Sequence, residues 1–152
     1  MQPSTQTVSY KEYLLFRLTN ELYALPGKAV REVMRWHTPT PIPGAPPLLP
    51  GLLNQRGQIL PVIDLRLLLG LPATAPDRAT RLIWVHQDDI DAALLADAVD
   101  DLIAIEPSLL EPPPAHLTGP AQRVIHAVFR YQEQPVALLD PAAVFAFVKE
   151  AA

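Results

Sequence analysis

Cysteine is missing from the 152 residues. Disulfides, thiolate metal sites, iron–sulfur clusters and a cysteine nucleophile are therefore excluded. Charge is sparse: Asp, Glu, Lys and Arg together make up 18% of the chain, fewer than a typical soluble protein carries. No run of about 18 apolar residues occurs, so no segment has the length to cross a membrane as a helix. Met1 to Tyr10 is polar and holds no hydrophobic stretch of the signal-peptide kind, which predicts a cytoplasmic protein without membrane insertion. The six glycines form no phosphate cradle.

The remaining reactive residue types are not assembled for a reaction either. None of His37, His86, His116 and His126 has a second histidine or a carboxylate at metal-ligand spacing on a helix. Ser4, Ser9 and Ser108 lie outside any nucleophile-elbow context. Asp88-Asp89-Ile90-Asp91 lacks the glycine and the distal glutamate of a calcium loop. If their segment is a regular strand, Asp100 and Asp101 point to opposite faces and cannot work as an acid–base pair. The expectation is a protein with no catalytic residues, no cofactor and no metal.

Net charge is −4, unevenly placed. Residues 1–72 carry seven Lys/Arg against four Asp/Glu, a net +3; residues 73–111 carry two against nine, a net −7; residues 112–152 carry three of each. The basic excess is too small for a nucleic-acid stripe. The acidic block is either solvated strand surface or one of two faces of opposite sign that meet different partners.

What is plentiful is apolar residues, 49%, and proline, with eighteen. The first is enough to bury a core at the size of one domain, or of two very small ones sharing a core. The second rules out long helices over most of the chain. Residues 12–18 alternate with the period of a half-buried strand, and 22–25 return as its hairpin partner. A further strand is expected over 29–36, entered through a turn of helix. A proline-rich connection follows over 38–51, then two strands within 52–64 around Gln55-Arg56-Gly57-Gln58. A short helix over 65–69 is stopped by Gly70 and Pro72. A strand is read at 81–86, one or two strands at 92–105, a second proline-rich loop at 107–120, and a last hairpin at 124–131 and 135–139. Pro141 opens a closing helix.

The order hairpin, strand, proline loop, hairpin, short helix thus occurs twice. Ala29-Val30-Arg31-Glu32-Val33 in the first unit answers Ala98-Val99-Asp100-Asp101-Leu102 in the second. A mainly β fold of two small five-stranded β-barrels follows, with short helices after Asp64 and after Asp140. Barrels this small are marginal alone and are expected to share a hydrophobic seam.

Arg56 stands out as the only charge between Arg35 and Asp64. It is either a solvent-facing turn residue or a recognition arginine able to fork onto a partner carboxylate. The residues around it carry a resemblance. Pro43-Gly44-Ala45-Pro46-Pro47 followed by Gly51-Leu52-Leu53-Asn54-Gln55-Arg56-Gly57-Gln58-Ile59-Leu60-Pro61-Val62-Ile63-Asp64-Leu65 resembles the signature of the CheW family. Glu32-Val33, Leu94-Leu95-Ala96-Asp97-Ala98-Val99 and Leu138-Leu139-Asp140 resemble further family segments, so the likeness runs from about Tyr13 to Val148. It implies a non-enzymatic adaptor that couples the cytoplasmic tip of a chemoreceptor to the regulatory domain of a CheA-type histidine kinase, in arrays that control flagella, pili or other outputs. It implies two SH3-like barrels forming a single domain over 12–150, with subdomains at roughly 22–80 and 81–140, terminal segments free to cross between them, and a flexible N-terminus over 1–11. The implied partner contacts are Val30, Glu32, Val33, Asn54, Arg56 and Gly57. Gln55 stands where the family motif has an apolar residue, Ala93 where it has glycine, and Asp101-Leu102 where a second Glu-Val would fall. The rivals are a small-molecule-binding or catalytic protein on the same fold, and a module that only competes within an array.

Overall fold

The computed structural model describes residues 9–151. Ten strands are present: β1 (Lys11–Leu18), β2 (Glu21–Pro26), β3 (Val30–Arg35), β4 (Gly51–Gln55), β5 (Gln58–Asp64), β6 (Arg81–Gln87), β7 (Ile90–Ala96), β8 (Ala98–Ile105), β9 (Ile125–Tyr131) and β10 (Gln134–Leu139). The helices are α1 (Leu65–Leu69), α2 (Gly119–Val124) and α3 (Pro141–Ala151). A 3-10 turn over Gly27–Ala29 leads into β3, as the sequence predicts. Residues 1–8 of the segment expected to be flexible lie outside the described residues, and Lys11 already opens β1.

The strands form two five-stranded sheets, ordered β3-β6-β7-β5-β4 and β8-β1-β2-β10-β9. The first sheet encloses Met34, Leu53, Leu60, Val62, Leu82, Ala93 and Leu95. The second encloses a cluster that includes Tyr13, Leu15, Ile103, Phe129 and Leu138. Ala93 is one place where the family pattern departs, and its methyl group is absorbed in the first interior, fully buried.

The two sheets are the same arrangement twice. Advancing every strand of β3-β6-β7-β5-β4 by one repeat of five gives β8-β1-β2-β10-β9. Each barrel therefore takes its central hairpin from the other half of the chain. β6–β7 lies between β3 and β5, antiparallel to the first and parallel to the second, and β1–β2 lies likewise between β8 and β10. Subdomain bounds near 22–80 and 81–140 do not follow the sheets. β2 belongs with the C-terminal strands, and β6 and β7 belong with the N-terminal ones. A cut at 80/81 separates the repeats, not the barrels, because local sequence specifies a hairpin but not the sheet that receives it. Among the described residues the chain crosses between sheets twice, at the 27–29 turn and at Asp97.

This exchange explains the core. The largest buried cluster is neither barrel interior but the seam between barrels. It holds nineteen buried side chains, among them Leu14, Phe16, Leu25, Ile83, Leu94 and Phe145, against ten and seven in the interiors. At roughly 1.5–3 kcal/mol for each large side chain removed from water, the seam outweighs either interior, so the halves stabilise each other. It also corrects the reading of β1 as half-buried. Leu14, Phe16 and Leu18 face the seam while Tyr13 and Leu15 face the barrel interior, so both faces are covered.

Both proline loops put one residue on an edge strand, Thr40 against Leu52 and Glu111 against Val128. A Cβ at Gly51 would overlap the Thr40 carbonyl, so that position needs glycine. The short helix α2 falls where the sequence predicts only loop at 107–120 and a strand from 124. It begins with Gly-Pro and buries only Val124, too little apolar periodicity to announce a helix. Helix α1 matches its expected span, capped by the Asp64 side chain and ended by Gly70.

Candidate functional site

The β4–β5 hairpin turns on Arg56-Gly57, flanked by the pair Gln55–Gln58. Both central residues have positive φ, 49° and 83°, as in the two-residue primed turns whose twist matches paired strands. Gly57 takes that backbone at no steric cost. Arg56 takes it as a non-glycine residue, which is uncommon. Asn54 Oδ1 accepts the Gly57 N–H at 3.0 Å and closes the turn from the side. Asn54, Arg56 and Gly57 are thus one local device that holds a guanidinium at the tip of a hairpin.

That guanidinium reaches Glu32 on β3. Arg56 Nη2 donates to Glu32 Oε1 at 2.9 Å, and Gln55 Nε2 donates to Glu32 Oε2 at 3.2 Å. Gln55, a departure from the family motif, is therefore a second hand on the same carboxylate. The Arg56 side chain stays 68% exposed, so the pair contributes about 0–1 kcal/mol to stability. Its effect is to orient Arg56 while the outer guanidinium edge stays open to solvent. The Arg56 Cζ also lies 6.0 Å from the Trp84 ring centroid, at the limit of a cation–π contact.

Val30 and Val33 lie across β3 from this cluster. Val30 pairs with Val85, Glu32 with Trp84 and Val33 with Ile83, leaving Arg31 as an extra residue in a β-bulge. Side chains of paired residues share a face. Val85 and Ile83 belong to the seam cluster, and Leu82 belongs to the barrel interior. The bulge therefore puts Val30 and Val33 together on the seam side, and Glu32 with Met34 on the other. Val30 is half-buried against the seam, and Val33 is exposed. The six candidates form two groups: a polar one, in which Glu32 on β3 meets Asn54, Arg56 and Gly57 of the β4–β5 hairpin, and an apolar one of Val30 and Val33 on the opposite face of β3.

Sequence reasoning missed the neighbours. A cleft of about 390 Å³ beside the turn is lined by Arg31, Arg56, Gln58, Trp84, His86 and Asp91. Trp84 Nε1 donates to Asp91 Oδ1 at 2.8 Å, and His86 Nδ1 lies 3.0 Å from the same oxygen. Burial works against the ionised Asp91 carboxylate, but hydrogen bonds from Trp84, His86 and Gln58 and the charge of His86 pull its pKa below the ordinary value. A signal for the His86–Asp91 pair exists in the sequence: a turn at Asp88-Asp89 sets the two residues opposite each other. Also missed were Val99 and Leu102. On β8 they repeat the bulge of β3, with Val99 opposite Phe16, Asp101 opposite Leu15 and Asp100 as the extra residue. Val99 packs on the seam cluster as Val30 does, and Leu102 is 52% exposed.

No three metal-ligating side chains gather among the described residues, and no helix is long and apolar enough to cross a membrane. The acidic stretch 73–111 does not make one face: it supplies strands to both sheets, and Asp91, Asp97 and Asp100 are each engaged in pairs.

Known proteins share this architecture. Residues 12–149 match the CheW-like domain. The chain is 28% identical over 134 residues to the chemotaxis protein CheW of Bacillus subtilis, covering 88% of this chain and 86% of that protein. It is 30% identical over 130 residues to the protein PilI of Pseudomonas aeruginosa, covering 84% and 71%. The crystal structure of the scaffolding protein TtCheW from Thermoanaerobacter tengcongensis superposes with a TM-score of 0.81 at 30% identity, over 87% of this chain and 90% of that one. With sequence, fold and spacing agreeing over nearly the whole length, the chain belongs to the CheW-like domain family.

Proposed function

We propose that the protein is a non-enzymatic, cytoplasmic scaffold-adaptor that couples a chemoreceptor tip to a CheA-type histidine kinase. The observation that carries this reading is the arrangement on β3. An apolar strip, half-buried Val30 and exposed Val33, lies along one face of an edge strand, and an oriented ion pair, Glu32–Arg56, stands on the other. An amphipathic receptor helix can lay its apolar face on the strip, while Arg56 takes a carboxylate at its rim. Val99 and Leu102 on the equivalent strand extend the same chemistry to the second barrel. Support also comes from the names of the relatives, a chemotaxis protein and a scaffolding protein. The 30% identity to PilI, against 28% to the Bacillus protein, keeps a pilus-type or other non-flagellar array as the alternative output.

The test is Arg56→Glu in a reconstituted array of receptor, kinase and this protein. Folding should change by less than about 1 kcal/mol, because the lost pair is exposed. Partner binding should weaken by about 2 kcal/mol or more, as expected when an arginine anchor is removed. The double variant Glu32→Arg with Arg56→Glu restores an internal pair with reversed polarity, and it should fold normally yet remain uncoupled. Kinase stimulation unchanged by Arg56→Glu removes this residue from the site. A saturable thermal shift with a nucleotide or common metabolite would favour a ligand-binding role instead.

A further inference from the structure

The most deeply buried charge among the described residues lies away from the candidate site, where the two barrels meet. Arg66, 5% exposed, sits in the first turn of α1. Its Nε and Nη2 reach the two oxygens of Asp64 at 3.1 and 3.2 Å. Nη1 donates to Asp97 Oδ1 at 2.8 Å and to the Thr74 carbonyl at 3.0 Å. Burial alone would lower the pKa of the guanidinium, but the hydrogen bonds and charges of Asp64 and Asp97 raise it above its ordinary value. Asp97 is the single residue between β7 of one barrel and β8 of the other. Its second oxygen accepts the Thr19 N–H at 2.6 Å, and its own N–H donates to the Arg17 carbonyl at 2.9 Å. Thr19 lies in the β1–β2 turn of the second barrel. A β-branched residue at φ 55° is a strained conformation that only its surroundings can hold. Here two bonds hold it, the one to Asp97 and one from Thr19 Oγ1 to the Pro72 carbonyl at 2.8 Å.

The internal repeat shows that this is not a requirement of the fold. At the other crossing the corresponding positions are Lys28 in the 27–29 turn, Ala142 in α3 and the Asp88-Asp89 turn, and no ion pair joins them. That end of the seam is held by apolar side chains such as Ala29, Val144 and Phe145. A buried ion triad is a poor way to gain stability, since apolar residues of similar volume hold an interface as well or better. What it adds is direction, because a forked guanidinium bonds well in only one geometry.

We infer that Arg66 is a positioning residue which, through Asp97 and Thr19, fixes the rotation of one barrel against the other at a single pinned crossing. The consequence for a partner rests on the function proposed above. The pin would set the spacing between Val30 and Val33 on one edge strand and Val99 and Leu102 on the other, so that a helix meets a preformed surface.

Because the chain has no cysteine, two introduced cysteines can be spin-labelled uniquely. Arg35 on β3 and Ala104 on β8 are exposed, one on each barrel. In the parent the distance distribution between them should be a single narrow peak. Arg66→Met, which keeps volume but not direction, and Asp97→Asn, which keeps an acceptor but not charge, should both broaden it at least twofold. Thr19→Gly relieves the strained backbone and removes the Pro72 bond at an exposed turn; it should broaden the distribution less, and it decides the matter if Arg66→Met does not fold. A distribution as narrow as the parent's in the folded variants overturns the proposal and leaves Arg66 as an ordinary buried ion pair. Titration with a chemoreceptor-tip fragment adds a separate readout. Several-fold weaker binding, with the peak narrowing again on saturation, supports both the pin and the partner. Broadening with unchanged binding supports the pin and removes the partner reading.

Discussion

Arg56 and Asp91 show what a single residue reveals before and after folding. Arg56 is visible in the sequence as an isolated charge before a glycine, and its turn follows from the Asn-x-Arg-Gly spacing. Its pairing with Glu32, 24 positions away, is not visible, because β3 and the β4–β5 hairpin belong to one sheet only through β6 and β7, from the other half of the chain. Asp91 reads as one acid in an acidic block, yet it is the shared acceptor of Trp84 and His86. Its folded pKa lies below the ordinary value, which is about 3.9 in an unfolded chain. The ionised form therefore favours the folded state. Its contribution is fully present above about pH 5 and is lost as pH falls through the lowered folded value. Asp91→Asn should accordingly be less stable than the parent at about pH 6, with a smaller deficit at about pH 3. Urea denaturation at the two pH values checks this. An equal deficit at both would mean that the amide fails for reasons of geometry and not charge.

At the scale of elements, a strand's partners decide what its sequence pattern means. Val30 and Val33 are three apart, a spacing that puts them on opposite faces of a regular strand. The sequence therefore demands a bulge or a helical turn if both are to face one partner. The structure supplies a bulge at Arg31, and β8 repeats it at Asp100. Neither bulge is legible in its own strand, because each is defined by register against a neighbour from the other half of the chain. The helix α1 was legible because its cap, its apolar residues and its glycine stop are contiguous; α2 was not, since six residues with one buried side chain carry no period. The two valines should part company on mutation. Val33→Asp, at an exposed position, should change the melting temperature little and weaken receptor binding. Val30→Asp places a carboxylate against the seam cluster and should cost about 1–3 kcal/mol. Melting curves and binding measured on the same samples separate the two. A Val33→Asp protein that fails to fold would assign that residue to the core.

The whole molecule follows from the exchange of hairpins between repeats. The twofold order of elements was legible in the sequence, and so was the need for a shared seam. The membership of the barrels was not, because β1–β2 and β6–β7 are each locally complete hairpins whose outer edges could pair with either set of strands. Charge along the chain misleads for the same reason, since the acidic stretch 73–111 is divided between the two sheets. Cutting the chain in the exposed segment between Ala75 and Pro76 tests this arrangement. Fragment 1–75 keeps β3, β4 and β5 but loses the two strands that lie between β3 and β5. Fragment 76–152 keeps β8, β9 and β10 but loses the two between β8 and β10. Each fragment also loses its half of the seam, the largest buried cluster. With whole domains stable by only about 5–15 kcal/mol, neither fragment should fold alone. Each should lack a cooperative thermal transition and a near-ultraviolet circular dichroism signal. An equimolar mixture should recover both, because every missing central hairpin is present in the other fragment. Cooperative folding of either fragment alone would mean that one repeat can close a barrel by itself, and the exchange would then be a choice among topologies and not a condition for folding.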